Sequence, residues 1–292
     1  MTLGARAVYR APVPPQIYTH ALREARRALP TGGVQKRHAV DVEMIARTRC
    51  VWLDRHHADQ GVIVLLHGGA FVSGPFAGDW EWLSAQAEAA GCAGLMIDYR
   101  AAPDHQHPVA LDDVRAVIGA LAEDGRISDG SWILAGQNAG GGLAVSLART
   151  CSPRPAALVL MAPWLDLALE NANISETDHH DPVHERRMHR AAAERYAGRT
   201  PLDDPELSPL NSDLAGLPPV HLAVGTRDLF LTDARVARVQ LEEGGVEVRF
   251  REVNGRLGTL ARLRRGEDVG RLLREQAAFI REVTGEGLSP RR

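Results

Sequence analysis

The sequence predicts an α/β protein with a mostly parallel sheet, because short apolar runs alternate with helical stretches along most of its 292 residues. Continuous apolar runs are typical of strands that are buried on both faces. These runs lie at residues 61–66, 95–98, 131–135, 157–161 and 220–224, and a last strand is predicted at 247–253. The helical stretches lie between them, at residues 80–90, 110–123, 140–150 and 233–243. This alternation favours right-handed crossovers with helices on both faces of the sheet.

The chain before this region carries a predicted amphipathic helix at about 15–30 and two short strands at 39–46 and 49–53. The two strands alternate polar and apolar residues, as antiparallel edge strands do. Residues from about 171 to 209 interrupt the alternation with no strand and many His, Arg and Asp residues. We predict one domain, residues 1–292, in which residues of about 1–35 and 171–209 form a helical cap. Such a cap is expected to roof a pocket at the carboxyl ends of the strands.

Composition narrows the classes of partner. The net charge of −3 gives no reason to expect nucleic acid or an anionic membrane surface. The three cysteines are too scattered for a disulfide framework, and no signal peptide or apolar run of about 18 residues is visible, which favours a cytoplasmic protein. His180 and His184 have the i, i+4 spacing of a metal pair, but Asp181-Pro182 is typical of a helix start. We therefore predict no metal and no cofactor.

Four motifs follow predicted strands and carry the candidate chemistry. Consecutive glycines after the first buried strand allow backbone N–H groups to turn toward a ligand atom, as an oxyanion hole requires. A Gly-rich turn between a strand and a helix is where a nucleophile elbow is expected. The motifs are His67-Gly68-Gly69-Ala70-Phe71, Asp98-Tyr99-Arg100, Gly136-Gln137-Asn138-Ala139-Gly140-Gly141 and Gly225-Thr226-Arg227-Asp228.

Taken in order, these motifs resemble the hormone-sensitive-lipase family of esterases from about residue 60 to residue 260. The resemblance implies the α/β-hydrolase fold, an elbow of the form G-D-S-A-G-G, an acid in G-x-x-D and a His in G-x-x-H-G-F. The elbow of this chain has Asn138 at the Ser position, and Gly258 stands where the His is expected. Asp228 matches the acid. The resemblance therefore implies a hydrolase frame in which the Ser and His of the triad are replaced.

The replaced residues change the expected chemistry. An amide is not a nucleophile under ordinary conditions, and losing triad members costs roughly a factor of 10⁶ in kcat. Asn138 is interpreted either as a residue that tolerates a left-handed turn or as an amide that holds a polar ligand. Asp228 is a candidate general base, with capping of backbone N–H groups or pairing with Arg256 as the alternative.

The remaining donors still suit a developing oxyanion. The residues expected to bind the ligand are Gly68, Gly69, Ala70, Asn138 and Ala139. This set favours a repurposed non-hydrolytic enzyme, a lyase, isomerase, epimerase or cyclase acting on a small carbonyl compound. The alternatives are a non-catalytic small-molecule-binding or receptor protein and a weak carboxylesterase. The predicted partner is a small-molecule ligand or substrate, and a homodimer stays open because dimers are common in the family.

Overall fold

The computed structural model describes residues 20, 23–174, 186–254 and 267–285. Its described part contains one sheet of eight strands in the order β1-β2-β4-β3-β5-β6-β7-β8. Strands β3 to β8 are parallel, while β2 pairs antiparallel with both β1 and β4. The strands are β1 Val40–Ile45, β2 Thr48–Leu53, β3 Val62–Leu66, β4 Ala93–Asp98, β5 Trp132–Gln137, β6 Ala157–Met161, β7 Val220–Gly225 and β8 Val248–Val253.

The described helices cover both faces of this sheet. They are α1 Gly32–Gln35, α2 Ala77–Ala90, α3 Val109–Glu123, α4 Ala139–Ala148, α5 Arg186–Ala197, α6 Leu231–Glu243 and α7 Glu267–Thr284. Alternate residues of a strand point to opposite faces. In β3, Ile63 and Leu65 belong to a core cluster with α2 and α7, whereas Val64 and Leu66 pack with α3, α4 and α6. Both faces are thus apolar, which explains the continuous apolar runs.

The structure confirms the predicted fold class and the antiparallel pairing of the strands predicted at residues 39–46 and 49–53. Of these two, only β1 is an edge strand, because β2 lies between β1 and β4 and is buried along most of its length, so the edge position predicted for it was wrong. The predicted N-terminal helix at about 15–30 lies largely outside the described residues, as does part of the segment 171–209. Within that segment the described chain has helix α5 and a short 3-10 turn, Pro209–Asn211. The division into a hydrolase domain and a cap stays a prediction.

Glycines allow the start of α4 to approach the end of β3. A Cβ on Gly140 would lie 2.1 Å from the carbonyl oxygen of Leu66 and 2.4 Å from that of His67. A Cβ on Gly136 would lie 2.3 Å from the carbonyl oxygen of Gly140. Real Cβ atoms do not approach carbonyl oxygens this closely, so any larger residue forces the strand and the helix apart. Gly136 near the end of β5 and Gly140 in α4 therefore fix the distance between the end of β3 and the start of α4.

Gly140→Ala is expected to lower the free energy of unfolding by about 1–3 kcal/mol, the usual cost of overpacking a filled core. Gly119→Ala is the matched control, because Gly119 lies in helix α3 with open space around a built Cβ. The control is expected to leave stability unchanged or to raise it by up to about 1 kcal/mol. Chemical denaturation measures both. Equal stability of the two variants would contradict the close packing of α4 against β3.

Candidate active site

The candidate site lies at the carboxyl ends of neighbouring strands. Leu66, the last residue of β3, pairs with Gly136 of β5, so the turns that follow both strands meet. A Cβ on Gly68 would lie 3.4 Å from the Cβ of Asn138. A methyl group at position 68 would therefore just touch Asn138, so the first Gly-rich turn and the elbow lie close together, as an oxyanion hole beside a nucleophile position requires.

Asn138 forms the sharp turn from β5 into α4. Its backbone has φ 50° and ψ −116°. The positive φ agrees with the expected strain, but ψ lies far from the value of about +47° of the left-handed helix region. The tolerance of Asn for that region therefore does not explain its presence here, which corrects the expectation from sequence. The turn is held instead by contacts of the surrounding backbone.

The backbone of Asn138 is fully used, while its side-chain amide is not. Its N–H donates to the carbonyl of Met161 at 3.0 Å, and its own carbonyl accepts from the N–H groups of Gly141 and Trp164 at 2.9 Å each. The side-chain Nδ2 is buried and has no hydrogen-bond partner in the part of the chain that the structure describes. An unpaired buried donor is costly unless a ligand or water satisfies it. The amide is therefore suited to hold an acceptor atom.

The first Gly-rich turn adopts positive φ at three successive residues, 117° at Gly69, 53° at Ala70 and 60° at Phe71. Gly69 cannot carry a side chain, since a Cβ there would lie 2.1 Å from the carbonyl oxygen of Ser73. Ala139 is the first residue of α4, and the N–H of such a residue has no intrahelical acceptor. The candidate oxyanion donors in these two turns are the backbone N–H groups of Gly69, Ala70 and Ala139.

Gly68 has a different role from the one expected from the sequence. Its backbone hydrogen-bonds the carboxyl group of Asp79, which also accepts the N–H of Phe76 at 2.7 Å. This removes the Gly68 N–H from the set of oxyanion donors. Burial raises the pKa of Asp79 from 3.8 to about 7. Sequence reasoning missed Asp79, although an acidic residue three positions after a helix N-cap is a known helix-start signal.

Two further side chains hold the same turn. The Tyr99 hydroxyl donates to the carbonyl of His67 at 2.6 Å, and the His67 ring stacks on Tyr99 with centroids 4.1 Å apart. His67 Nδ1 lies 2.7 Å from the carbonyl oxygen of Gly68, which makes Nδ1 the protonated nitrogen. Burial lowers the pKa of His67. His67 is therefore a neutral ring that fixes the turn, and the motif Asp98-Tyr99-Arg100 supports it from the next strand.

Asp228 lies three residues after the end of β7 and is completely buried. Its carboxylate accepts the N–H of Gly225, and its own N–H donates to the carbonyl of Gly225 at 3.0 Å. The Asp228 carboxylate therefore caps a backbone N–H group, as the alternative to a general base predicts. Arg256, the other partner considered for it, and Gly258 lie outside the described residues, as do His180 and His184.

Aromatic side chains from α5 cover the described side of the site. Tyr196 stacks on Phe71 with ring centroids 3.9 Å apart and an angle of 2° between the rings. His189 packs edge-on against Trp164, with centroids at 5.0 Å. Aromatic side chains of α5 thus pack against Phe71, after β3, and Trp164, after β6. Asn138 itself is 5% exposed.

A Ser–His–Asp arrangement occurs elsewhere in the described chain. His38 Nδ1 lies 2.6 Å from an Asp54 carboxylate oxygen, and its Nε2 lies 2.7 Å from Ser84 Oγ. Ser84 is completely buried in helix α2, and the Arg37 guanidinium donates to its Oγ at 2.9 Å. An ester has no route to a hydroxyl that is enclosed in this way. The cluster therefore has a structural role, because it joins His38, which precedes β1, to helix α2.

Comparison with known families decides the assignment. A model of the alpha/beta hydrolase fold matches residues 63–258, which is more than half of the chain. The chain belongs to the α/β-hydrolase fold family. An esterase of the bacterial hormone-sensitive lipase family has the same fold, with a TM-score of 0.80, 26% sequence identity and coverage of 93% of this chain and 91% of that one.

Relatives of this α/β-hydrolase are named as hydrolases. An acetyl-hydrolase of Streptomyces hygroscopicus is 33% identical over 253 residues, which cover 85% of this chain and 84% of the relative. An esterase of Acinetobacter venetianus is 31% identical over 199 residues, covering 66% and 65%. None of the described helices combines the length and apolar character that crossing a membrane requires.

These relatives overturn the functional prediction made from the sequence. A lyase, isomerase, epimerase or cyclase was expected, with a non-catalytic binding protein as an alternative, and both are contradicted because the similar proteins are esterases and acetyl-hydrolases. The prediction weighed the absent nucleophile more heavily than the retained backbone donors. Those donors stabilise charge independently of the side chain at position 138.

The buried Asp79 predicts a pH-dependent stability. A carboxyl group with a raised pKa binds a proton on folding between about pH 4 and pH 7, so its contribution to the free energy of unfolding falls as pH rises through this interval. This fall amounts to at most about 4 kcal/mol. The Asp79→Asn side chain resembles the neutral acid, so the variant is expected not to show it. Denaturation at a series of pH values measures the difference between the two proteins. The exposed Asp59→Asn is the control, and identical slopes for Asp79→Asn and the unmodified chain would contradict a raised pKa.

Proposed function

We propose that the protein hydrolyses small carboxylic esters, acetyl esters among them, at the turn between β5 and α4. The observation that carries this proposal is the close approach of the turn at residues 67–71 to the Asn138 elbow at the paired carboxyl ends of β3 and β5, where Gly69, Ala70 and Ala139 supply the candidate donors. The acetyl-hydrolase and esterase relatives support the reaction class and the small acyl group.

The proposed mechanism places the ester carbonyl oxygen against these backbone donors. Each such donor is worth about 10²–10³ in rate when it is aimed at the developing oxyanion. The Asn138 Nδ2 adds a fourth donor, since it is buried without a partner among the described residues. Water attacks the carbonyl carbon, and the negative charge gathers on the oxygen that the donors hold.

The proposed mechanism operates without the Ser and His of the family triad. Asn138 stands at the elbow, and Gly258 stands where the family resemblance places the His. Asp228 is the carboxylate that we assign as acceptor of the proton from the attacking water, because it is buried at the same edge of the sheet. Catalysis without a nucleophilic serine is slow, and about 10³–10⁴ over the reaction in water is what the oxyanion hole and binding supply.

Hydrolysis of p-nitrophenyl acetate tests the role of the oxyanion turn. The unmodified protein is expected to exceed the buffer rate, and Gly69→Ala is expected to lose at least about 100-fold because its Cβ would displace the turn. Gly119→Ala and Ser84→Ala are controls, expected to keep the activity, with circular dichroism confirming that each variant is folded. A rate equal to buffer for the unmodified protein, or an unchanged rate for Gly69→Ala, contradicts the proposal. Loss of activity in Ser84→Ala alone would move the reaction to the His38 cluster.

Restoring the nucleophile and the base tests the replaced triad. The double variant Asn138→Ser with Gly258→His is expected to raise kcat/KM by at least about 100-fold, because it supplies the serine hydroxyl and the imidazole that the family resemblance places at these positions. It is also expected to form a covalent adduct with a fluorophosphonate, as judged by intact mass. Asn138→Ser alone is the control and is expected to gain far less. Equal rates for the single and double variants would show that position 258 does not supply the base.

A further inference from the structure

The backbone conformation of Asn138 brings its Cβ into line with the nitrogen of the next residue, Ala139. On a tetrahedral Cα the backbone nitrogen and Cβ are about 120° apart in projection along the Cα–C bond. With ψ at −116°, Cβ of Asn138 therefore eclipses the nitrogen of Ala139. In helices and strands ψ is about −42° or +135°, and Cβ is then rotated well away from that nitrogen.

This geometry favours ring closure within the chain. A bond from the Ala139 nitrogen to Cγ of Asn138 completes a five-membered ring that contains Cα, Cβ and the backbone carbonyl carbon. Such a ring is nearly planar, so it requires Cβ and the nitrogen to be eclipsed, as they already are. Holding two reacting groups in the required geometry replaces a rare fluctuation by a populated state.

The two reacting groups are the Ala139 N–H and the side-chain amide of Asn138. The Ala139 N–H belongs to the first residue of α4 and has no intrahelical acceptor. The leaving group, Asn138 Nδ2, is buried without a hydrogen-bond partner in the described chain. Ala139 carries only a methyl group, which leaves its nitrogen open to the approach of Cγ.

The surroundings also stabilise the charge that forms. Attack on Cγ places negative charge on the side-chain oxygen of Asn138, and the Gly68–Gly69 turn lies against this side chain. The N-terminus of α4 adds the positive end of a helix dipole at the same point. The Ala139 nitrogen is the nucleophile in this step, so the donors that remain for the oxyanion are the N–H groups of Gly69 and Ala70.

We propose that Asn138 is a self-modification site that cyclises onto the Ala139 nitrogen and is then hydrolysed. The new N–Cγ bond forms as the Cγ–Nδ2 bond breaks, and the Ala139 proton leaves with the side-chain nitrogen as ammonia. Water then opens the cyclic imide at one of its two carbonyls, giving aspartate or isoaspartate at position 138. The aspartate product places an ionisable carboxylate at the elbow, where the unmodified chain has a neutral amide. The modification does not depend on the proposed ester hydrolysis.

Peptide mass spectrometry of the aged protein tests this proposal. Trypsin releases residues 127–149 as one peptide, between Arg126 and Arg149, and Asn138 is its only Asn. In the folded protein at mildly alkaline pH, this peptide is expected first to lose the mass of ammonia and then to gain the mass difference between an amide and an acid. The folded protein is expected to react at least about ten-fold faster at Asn138 than the same protein in urea.

Two references make the result decisive. Asn211 lies in a described turn of the same folded protein and serves as the internal control for ordinary deamidation. Asn138→Gln is the variant control, because its ring has one more atom and does not match the eclipsed geometry. The Asn138→Asp variant supplies the reference peptide for the aspartate product. An unchanged peptide mass, or a rate that rises in urea, overturns the proposal.

Activity measurements separate this proposal from the proposed function. Ester hydrolysis is measured on freshly purified protein and again after ageing, alongside Asn138→Asp. Hydrolysis with an unchanged peptide mass would overturn the modification alone. A modified peptide in a protein without hydrolysis at any age would overturn the esterase proposal alone.

Discussion

The close approach of α4 to the end of β3 is the constraint on which the site depends. It is possible only because Gly140 presents no side chain to the carbonyl oxygens of Leu66 and His67. The approach brings the Gly69 turn against Asn138 and sets the N-terminus of α4 beside both. The donors of the site are backbone groups, so their positions follow from the packing of the main chain and from no single polar side chain.

A layer of polar side chains then keeps the Gly69 turn in its strained conformation. Three successive residues with positive φ are costly in isolation and persist only where the surrounding structure fixes them. Asp79, Tyr99 and His67 supply that support through bonds to the backbone of residues 67 and 68. These bonds occupy the Gly68 N–H, whereas the N–H groups of Gly69 and Ala70 take no part in them. The turn is therefore prepared before any ligand arrives, which is what electrostatic stabilisation requires.

The sequence predicted the fold and the position of the site because both depend on local patterns. Apolar runs, their spacing and the Gly-rich motifs lie within a few residues of the features they determine. Asp79 was missed because its contact with Gly68 joins a helix to a strand end across 11 residues, and nothing local aims a carboxyl group at that turn. The ψ of Asn138 was missed for a related reason, since it is imposed by Gly136, Gly140 and Met161. Function was mispredicted because residue identities at two positions were given more weight than backbone geometry.

The elbow shows why a change of side chain and a loss of reaction class are different events. The conformation of residue 138 is enforced by neighbouring backbone, so replacing a serine by an asparagine does not allow the turn to relax. The N–H groups of Gly69, Ala70 and Ala139 keep their direction, and their effect on a carbonyl oxygen is independent of what attacks the carbon. In the proposed mechanism an asparagine at this position lacks the covalent route of a serine, and with it most of the rate. The strained turn also acts on its own residue, because its ψ places the Cβ of Asn138 in line with the next peptide nitrogen, the arrangement that ring closure requires.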